Sequence, residues 1–265
     1  MATEPRPMHL PCARGGPAGW WFRPVFGAAG ALTYYALAVR PWLLHWGTTA
    51  DETTSPLPCD NLVAEAVYVT TRAVTVQAPA EAIWPWLVQM GQGRAGFYTY
   101  DRLEQIVGAA IRSADRILPE LQQLAVGDTV PLSTVGGPKV AFLDPGRGLV
   151  LSGTMDLRTA RSIPTIPATW SAMDWTWSFA LRPMRDGTTR LLVRTRGAYR
   201  PRRLLAPVVP LLLEPIHFVM ERGMLWGIKR RAERTAASPS YNVRPEPSHL
   251  HPRLPRTRTG RESSL

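Results

Sequence analysis

The sequence has few cysteines, few lysines and no long uncharged apolar run. Its 265 residues include two cysteines, Cys12 and Cys59, which are too few for a disulfide framework or a cysteine-based metal site. Lysine occurs only at Lys139 and Lys229, so arginine supplies almost all of the formal net charge of +11. A chain of this length fits one domain of moderate size with appendages.

The arginine excess raises the hypothesis of a nucleic-acid-associated protein. Part of it lies after residue 236, in a segment of Arg, Pro, Ser and His that cannot build a core. Two further basic clusters, at residues 196–203 and 229–234, flank an apolar run. Attraction to anionic lipid headgroups explains these clusters at least as well as attraction to phosphodiesters. Nucleic acid is therefore not the partner that we expect.

The spacing Gly91-x-Gly93-x-x-Gly96 matches the dinucleotide-binding fingerprint. That fingerprint binds a pyrophosphate only where it follows a buried strand and opens a helix. Here residues 79–90 have helical spacing before the glycines, and an aromatic run follows them. The glycines therefore predict a sharp bend after a helix, and we expect no nucleotide cofactor.

Composition divides the chain into five parts. They are a Pro-, Gly- and Arg-rich N-terminus predicted to be disordered (1–19), an apolar helical segment (20–46), a polar connection (47–71), a ligand-binding domain (72–236) and a disordered basic tail (237–265). Residues 25–39 are uncharged, a stretch shorter than the roughly 20 residues that span a bilayer. Flanking Trp, Tyr and Arg side chains are typical of interfacial anchoring.

Three interpretations of this apolar segment stay open. It is a packed or surface-lying helix, a short membrane span, or a signal peptide cleaved after Ala36-Leu37-Ala38. Arginines lie on both sides of the segment, so its orientation is not readable. The protein is accordingly expected to be cytoplasmic, or membrane-associated through residues 20–46.

The pattern after residue 72 alternates strands with turns. Residues 73–77 predict a half-buried strand, and Pro79 predicts the start of the helix over 79–90. Asp101-Arg-Leu-Glu104 has capping-box spacing and predicts a second short helix. Further strands are predicted at 128–133, 139–143, 148–153, 174–181 and 189–196.

A long amphipathic helix is predicted near the C-terminus, over residues 209–234. Pro215 must lie in its first turn or kink it. An apolar stripe at helical spacing comprises Leu212, Ile216, Val219, Met220, Gly223, Met224, Gly227 and Ile228. The glycines of this stripe would permit a close approach to a sheet. Glu214, His217 and Glu221 lie on a different face, which is predicted to be polar and solvated.

Four segments carry a resemblance to a known family, in the order AVTVQAPAEAIWPWLVQMGQGRAGFYTYD, SADRILPELQQLAVGDTVPL, WTWSFAL and FVMERGMLWGIKRRAE. Together they resemble the START-like (SRPBCC) superfamily, and within it bacterial members grouped with polyketide cyclase/dehydrase-like proteins. The resemblance covers roughly residues 40–236. It implies the α+β helix-grip fold, a curved antiparallel sheet wrapped around a long C-terminal helix. That fold usually has seven strands, so a further strand is expected within 154–172.

The resemblance also implies a cavity for a small hydrophobic ligand, since the superfamily includes lipid carriers, hormone receptors and aromatase/cyclases. Such cavities are mostly apolar with a few orienting polar groups. The candidate ligand-binding residues are Trp84, Tyr98, Tyr100, Arg116, Trp175, Trp177, Arg194, Phe218 and Met220. For the aromatic residues, simple filling of the core is the competing interpretation.

Candidate catalytic groups are few. Tyr98, Asp101 and His217 could act as acid or base groups, although a capping role already explains Asp101. Glu214-x-x-His217 has the spacing of carboxylate-bridged di-iron sites, but these need a second copy and two more carboxylates, so no metal is expected. Asp115-Arg116 could be a buried pair that orients a ligand, or a structural anchor.

Three functions follow from these observations. The first is a binding module without an assigned reaction. It binds a lipid, isoprenoid or aromatic polyketide-like molecule between the sheet and the C-terminal helix. The alternative is a cyclase- or dehydratase-like enzyme that acts on such a molecule without a metal or nucleotide cofactor. The second alternative is the basic nucleic-acid-associated protein.

Overall fold

The computed structural model describes residues 29–99, 113–133, 136–159, 161–163 and 171–238. Its helices are α1 (29–44, π-helical over Tyr35–Val39 and α-helical over Arg40–Leu44), α2 (Ala50–Thr54), α3 (Ala80–Val88), α4 (Arg202–Leu205) and α5 (Glu214–Ala237). A π-helical stretch, Val209–Leu213, leads into α5. The strands are β1 (Tyr68–Val76), β2 (Lys139–Asp144), β3 (Gly148–Asp156), β4 (Ser162–Ile163), β5 (Ala172–Pro183) and β6 (Thr189–Arg200).

The six strands form one curved sheet in the order β1-β6-β5-β3-β2, with β4 paired to β3. Every pairing is antiparallel. The long helix α5 packs against β1 and α3, so the sheet has one helix-covered face. This is the predicted α+β helix-grip arrangement, and that prediction is confirmed.

Alternating apolar residues turn one face of the sheet toward α5. Phe179 of β5 lies opposite Val193 of β6, and both are almost fully buried. Met224 and Ile228 belong to the same core cluster and come from the part of α5 that follows Glu221. This part of the helix therefore covers the sheet with apolar side chains.

The connection that follows α1 covers the other face of the sheet. Leu57 packs there against Ala73 and Leu192. Arg194 of β6 anchors it with all three nitrogens. These donate to Thr71 Oγ1, Asp60 Oδ2 and the carbonyl oxygens of Glu52, Thr53 and Ser55. Arg194 thus faces away from α5.

Several predicted boundaries are corrected. β1 begins at Tyr68, inside the predicted connection, because its backbone pairs with β6 as far as Gly197. Residues 128–133 form two isolated bridges rather than a strand. β4 lies within 154–172, where a further strand was expected. The second short helix predicted from Asp101 falls outside the described residues.

The glycine segment is the predicted sharp bend. α3 ends at Val88, and Gly91 and Gly96 then exchange two backbone hydrogen bonds, at 3.1 and 3.0 Å. Both glycines have positive φ angles, +135° and +75°, which side chains with a Cβ rarely adopt. A helix rather than a strand precedes the glycines, so the geometry of a pyrophosphate site is not formed.

Among the described residues, no helix combines the length and the apolar character that crossing a bilayer requires. Residues 20–28 of the predicted apolar segment lie outside this description.

Candidate functional site

The first half of α5 is oriented opposite to the prediction. Glu214 and Glu221, predicted to be solvated, are 1% and 2% exposed. Leu212 and Ile216, which belong to the predicted core-facing stripe, are 54% and 50% exposed. The stripe faces the core only from Gly223 onward. Gly227 approaches the backbone of Tyr98, rather than the sheet.

Two arginines from distant segments explain this inversion. Arg40 of α1 binds Glu214 with two hydrogen bonds of 2.8 Å. Arg72 of β1 binds Glu221, with Nη1 2.5 Å from Oε2. A buried carboxylate is tolerated only when it is paired and hydrogen-bonded. The arginines therefore decide which face of α5 turns inward.

Glu221 is the centre of a group that we call the polar cluster, which comprises Tyr68, Arg72, Trp177, Thr195, His217 and Glu221. Trp177 Nε1 donates to Glu221 Oε1 at 2.9 Å, and Thr195 Oγ1 lies 3.4 Å from the same oxygen. Arg72 Nε donates to the carbonyl oxygen of Leu43 at 2.8 Å. Three strands and α5 thus converge on one buried carboxylate.

His217 is held as a neutral imidazole. Its Nδ1 lies 2.6 Å from the hydroxyl of Tyr68 and 3.2 Å from Arg72 Nη1. Since a guanidinium only donates, Nδ1 must accept, and the ring proton is on Nε2. Burial lowers the pKa of His217, and Arg72 lowers it further, against the opposing effect of Glu221. The His217 side chain remains 31% exposed, so the cluster reaches solvent there.

Two polar atoms beside this cluster have no partner. Arg72 Nη2 and Thr70 Oγ1 are buried without a hydrogen bond. Residues 70 and 72 of β1 share the helix-facing side, because side chains alternate along a strand. An unsatisfied buried donor or hydroxyl costs about 1–3 kcal/mol. A water molecule or an oxygen of a ligand would remove this cost.

Aromatic rings adjoin the polar cluster along β5. The ring centroids of Trp175 and Trp177 are 6.4 Å apart, and those of Trp177 and Phe179 are 4.9 Å apart. Phe97 lies 6.4 Å from Trp177. Phe179 is buried, whereas Trp175 and Trp177 are only partly buried. We call these four side chains the aromatic row. Apolar area stays uncovered at its Trp175 end.

The other aromatic candidates lie apart from this row. Tyr98 is fully buried, and its hydroxyl donates to the carbonyl oxygen of Trp86 at 3.0 Å. Burial also raises the pKa of Tyr98, and its ring lies in the main core, apart from the polar cluster. Trp84 packs at the edge of the core. Phe218 contacts Trp42 of α1, and Met220 is 45% exposed.

The charged candidates are also placed elsewhere. Asp115 is exposed and pairs with Arg231 at 2.8 Å, so Asp115-Arg116 is not a buried pair. Arg116 lines a cavity of about 350 Å³ near the C-terminal end of α5, away from the polar cluster. Arg194 is engaged on the opposite face of the sheet. Tyr100 and Asp101 fall outside the described residues.

Sequence reasoning missed Tyr68, Arg72, Thr70 and Thr195, although one signal was available. Arg72 has the same strand parity as Val74 and Val76, which face the core. A charged residue at a core-facing strand position predicts a buried partner. The sequence does not show that this partner is Glu221.

The residues that the structure describes contain no group of three His, Cys, Asp or Glu side chains placed to hold a metal ion. Glu214 and His217, the two members of the di-iron-like spacing, bind Arg40 and Tyr68 instead.

Comparison with known proteins finds no matching family model and no matching curated sequence. Three solved structures are similar in part. A protein of Mesorhizobium loti, MLL2253, is 16% identical, with a TM-score of 0.35, over 63% of this chain and 98% of that one. The di-domain aromatase/cyclase StfQ of the steffimycin biosynthetic pathway is 13% identical, with a TM-score of 0.37, over 85% of this chain and 63% of that one.

The third structure is the Zhui aromatase/cyclase of Streptomyces sp. R1128, which is 15% identical, with a TM-score of 0.31, over 63% of this chain and 94% of that one. All three TM-scores lie below 0.5. The fold described above therefore rests on the strand pairing and helix contacts of this chain, and its function must be argued from its own side chains.

Proposed function

We propose that this protein binds a small, largely apolar molecule that carries a polar oxygen, such as an isoprenoid, a lipid or an aromatic polyketide-like compound. The ligand lies between the aromatic row and the first half of α5. The observation that carries this proposal is the partly exposed pair Trp175 and Trp177, which adjoins a buried cluster with an unpartnered N–H and an unpartnered hydroxyl.

The two halves of the helix-facing side support this location. Beneath α5 from Gly223 onward, apolar side chains such as Phe179, Met224 and Ile228 form the core. Beneath the first half, a histidine and two tryptophans retain solvent access. Binding sites of this kind combine aromatic walls with a few polar groups that orient the ligand. The aromatic row would supply apolar contact area for the ligand, and Arg72 and Thr70 would orient it by hydrogen bonds to its oxygen.

Paired probes test both parts of the proposal. We expect 2-naphthol to bind the full-length protein more tightly than naphthalene, because its hydroxyl meets the unpartnered polar atoms. Trp175→Ala should weaken both probes. Trp226→Ala is the matched control, since Trp226 lies on α5 against Trp46, outside the site. Isothermal titration calorimetry measures all four combinations.

Two results would contradict the proposal. Equal affinities for 2-naphthol and naphthalene would show that the unpartnered polar atoms do not bind the ligand oxygen. Equal losses in Trp175→Ala and Trp226→Ala would show that the probes bind elsewhere. Native mass spectrometry of the gently purified protein would identify the chemical class of any bound cellular molecule.

An enzyme of the cyclase or dehydratase kind is the second candidate, and the state of His217 favours it. Nδ1 is the basic nitrogen of this partly exposed neutral imidazole, and it can accept a proton at neutral pH once Tyr68 and Arg72 turn their hydrogen bonds away from it. In a dehydration, His217 would take the proton next to a carbonyl and then pass it to the departing β-hydroxyl, which leaves as water.

An aromatic β-hydroxy ketone tests this candidate, because its dehydration to an enone is followed by absorbance. His217→Asn should lose this activity. The rate should also fall at acidic pH, with an apparent pKa below the ordinary histidine value, because burial lowers the pKa of His217. Unchanged ligand affinity in the same variant would separate catalysis from binding. If wild type and variant produce enone no faster than buffer, the binding function stands alone.

The basic nucleic-acid alternative has less support from the side-chain contacts. Arg72, Arg190 and Arg194 are buried or partly buried and pair with carboxylates of this chain. These arginines contribute to net charge without presenting it to a partner. Retention of DNA that weakens with salt and survives removal of residues 239–265 would still revive that alternative.

A further inference from the structure

Two uncharged helical segments are joined by a hydrogen bond between Tyr35 and Pro210. Residues 29–39 of α1 and residues 204–213 before α5 contain no Asp, Glu, Lys or Arg. The hydroxyl of Tyr35 donates to the carbonyl oxygen of Pro210. Arg40 and Glu214 form the bidentate ion pair one turn further along both segments. The segments therefore run in the same direction and are fixed to each other.

These segments expose large apolar side chains, which we call the apolar platform. Leu37 is 75% exposed, Tyr34 67% and Leu32 57%. On the second segment and the first turns of α5 the exposed members are Leu204, Val208, Leu211, Leu212, Leu213, Ile216, Val219 and Met220. Single exposed apolar residues are ordinary, but this many large apolar side chains exposed on two joined segments favour an interaction surface.

The charges around the platform indicate which kind of partner it binds. Glu214, the carboxylate at the start of α5, is buried and paired with Arg40, so it adds no exposed negative charge. Arg200, Arg202 and Arg203 directly precede the second segment and are exposed. Arg202 has one acidic partner, the largely exposed Glu65 at 3.3 Å. The border of the platform is therefore positively charged, which complements anionic phosphate headgroups.

The shape and flanking sequence fit a lipid surface. The 16 residues of α1 extend about 24 Å at 1.5 Å per residue, which suits a helix lying in the headgroup region. Trp42 is 55% exposed on the same helix. The sequence before α1 is Trp20-Trp21-Phe22-Arg23, and tryptophan and arginine favour the membrane–water interface.

We propose that the apolar platform docks this protein onto the surface of an anionic lipid bilayer. The leucines and aromatic rings enter the boundary between headgroups and acyl chains, and the arginines contact lipid phosphates. The inverted orientation of α5 is what makes this surface available, because its apolar first turns face outward. This inference does not depend on the proposed ligand.

Vesicle flotation of the full-length protein tests the proposal. One set of vesicles is phosphatidylcholine, and the other contains equal parts of phosphatidylcholine and phosphatidylglycerol. We expect stronger binding to the anionic vesicles. The double variant Leu37→Glu/Leu212→Glu should weaken this binding at least about tenfold, because two exposed leucines no longer enter the lipid.

The matched control is Val126→Glu/Met184→Glu, which adds the same charge at exposed apolar positions outside the platform. It should bind vesicles within about threefold of wild type, since distant surface charge contributes little. Arg202→Gln/Arg203→Gln should reduce the preference for anionic vesicles, and added salt should have a smaller effect on that variant.

Three outcomes would overturn the proposal. One is absence of wild-type binding to both vesicle types. Another is equal weakening in the platform variant and its control. The third is a dimer, measured by light scattering, that Leu37→Glu/Leu212→Glu dissociates while vesicles stay unbound, which would assign the platform to a second copy of this chain.

Discussion

Arg72 of β1 and Glu221 of α5 form an ion pair in which both side chains are buried, at 0% and 1% exposure, with Nη1 2.5 Å from Oε2. The two residues are 149 positions apart in the sequence. Their pairing fixes both the rotation of α5 about its axis and its position along the sheet. Together with the Arg40–Glu214 pair, this contact holds the two carboxylates of α5 inward and leaves the apolar residues of its first turns facing outward.

Removing one partner of this pair should be costly. We expect Glu221→Ala to lower the free energy of unfolding by about 3–5 kcal/mol, because Arg72 would stay buried without a counter-charge. The double variant Arg72→Met/Glu221→Leu should be markedly more stable than Glu221→Ala. Urea denaturation measures all three proteins. A double variant no more stable than Glu221→Ala would show that the pair itself stabilises the fold.

Thr70 and Thr189 provide a matched pair of buried threonines. Thr70 Oγ1 has no partner, whereas Thr189 Oγ1 donates to the carbonyl oxygen of Ala78 at 2.8 Å. Thr70→Val should therefore change the free energy of unfolding by less than about 0.5 kcal/mol or stabilise the protein, and Thr189→Val should cost about 1–2 kcal/mol. Thermal unfolding of both variants checks this difference.

The same Thr70→Val substitution reports on the proposed ligand. If the hydroxyl orients a ligand oxygen, the variant should lose affinity for 2-naphthol but keep its affinity for naphthalene. A large loss of stability in Thr70→Val would instead mean that the hydroxyl already has a partner.

The neutral state of His217 gives a pH dependence of stability. Its folded pKa lies below the ordinary value of 6.5, so the unfolded chain binds the proton more readily. The contribution of His217 is fully present above pH of about 6.5 and is lost as the pH falls toward the folded pKa. Wild type should therefore lose more stability than His217→Asn between pH 7 and pH 5.

Chemical denaturation at a series of pH values measures that difference. Subtracting the His217→Asn curve removes the contribution of carboxylates that both proteins share. Parallel curves for the two proteins would show that His217 has the same pKa in the folded and unfolded states.

The close approach of α5 to the glycine bend predicts a severe effect at Gly227. A Cβ there would lie 1.9 Å from the carbonyl oxygen of Tyr98, and backbone atoms cannot yield easily. Gly227→Ala should cost about 3 kcal/mol or more. Gly30→Ala, in α1, meets nothing within 4 Å and should be neutral or stabilise by up to about 1 kcal/mol.

Melting temperatures of these two glycine variants, measured by circular dichroism, give the comparison. If Gly227→Ala had the same melting temperature as wild type, α5 could move away from Tyr98 without loss of stability.

Much of the fold could be predicted because its signals are local. Alternation of Trp175, Trp177, Phe179 and Leu181 indicated β5, and Asp186-Gly187 indicated the hairpin that follows it. Strand periodicity and turn chemistry act within a few residues, so a single sequence displays them. The boundaries of β1 and the missing strand at 128–133 depended on pairing with distant strands, which periodicity does not report.

The candidate site was only partly predictable. Trp175, Trp177 and His217 were recognised by residue type. Trp177 Nε1 lies 2.9 Å and His217 Nε2 3.5 Å from Oε1 of Glu221, and Trp175 lies beside Trp177. Arg72 was not recognised, because its partner comes from the other end of the chain. Arg194 could not be assigned to a face, since strand parity alone does not say which face α5 covers.

The sequence by itself determined β2, β3, β5, β6, the hairpins, the glycine bend and the approximate position of the final helix, because each depends on neighbouring residues. Only the tertiary structure decided which side of that helix is buried. Hydrophobic periodicity favoured the stripe from Leu212 to Ile228, yet Arg40 and Arg72 turned Glu214 and Glu221 inward. A buried ion pair between distant residues outweighs a local apolar pattern, because an unpaired buried charge costs more than an exposed leucine.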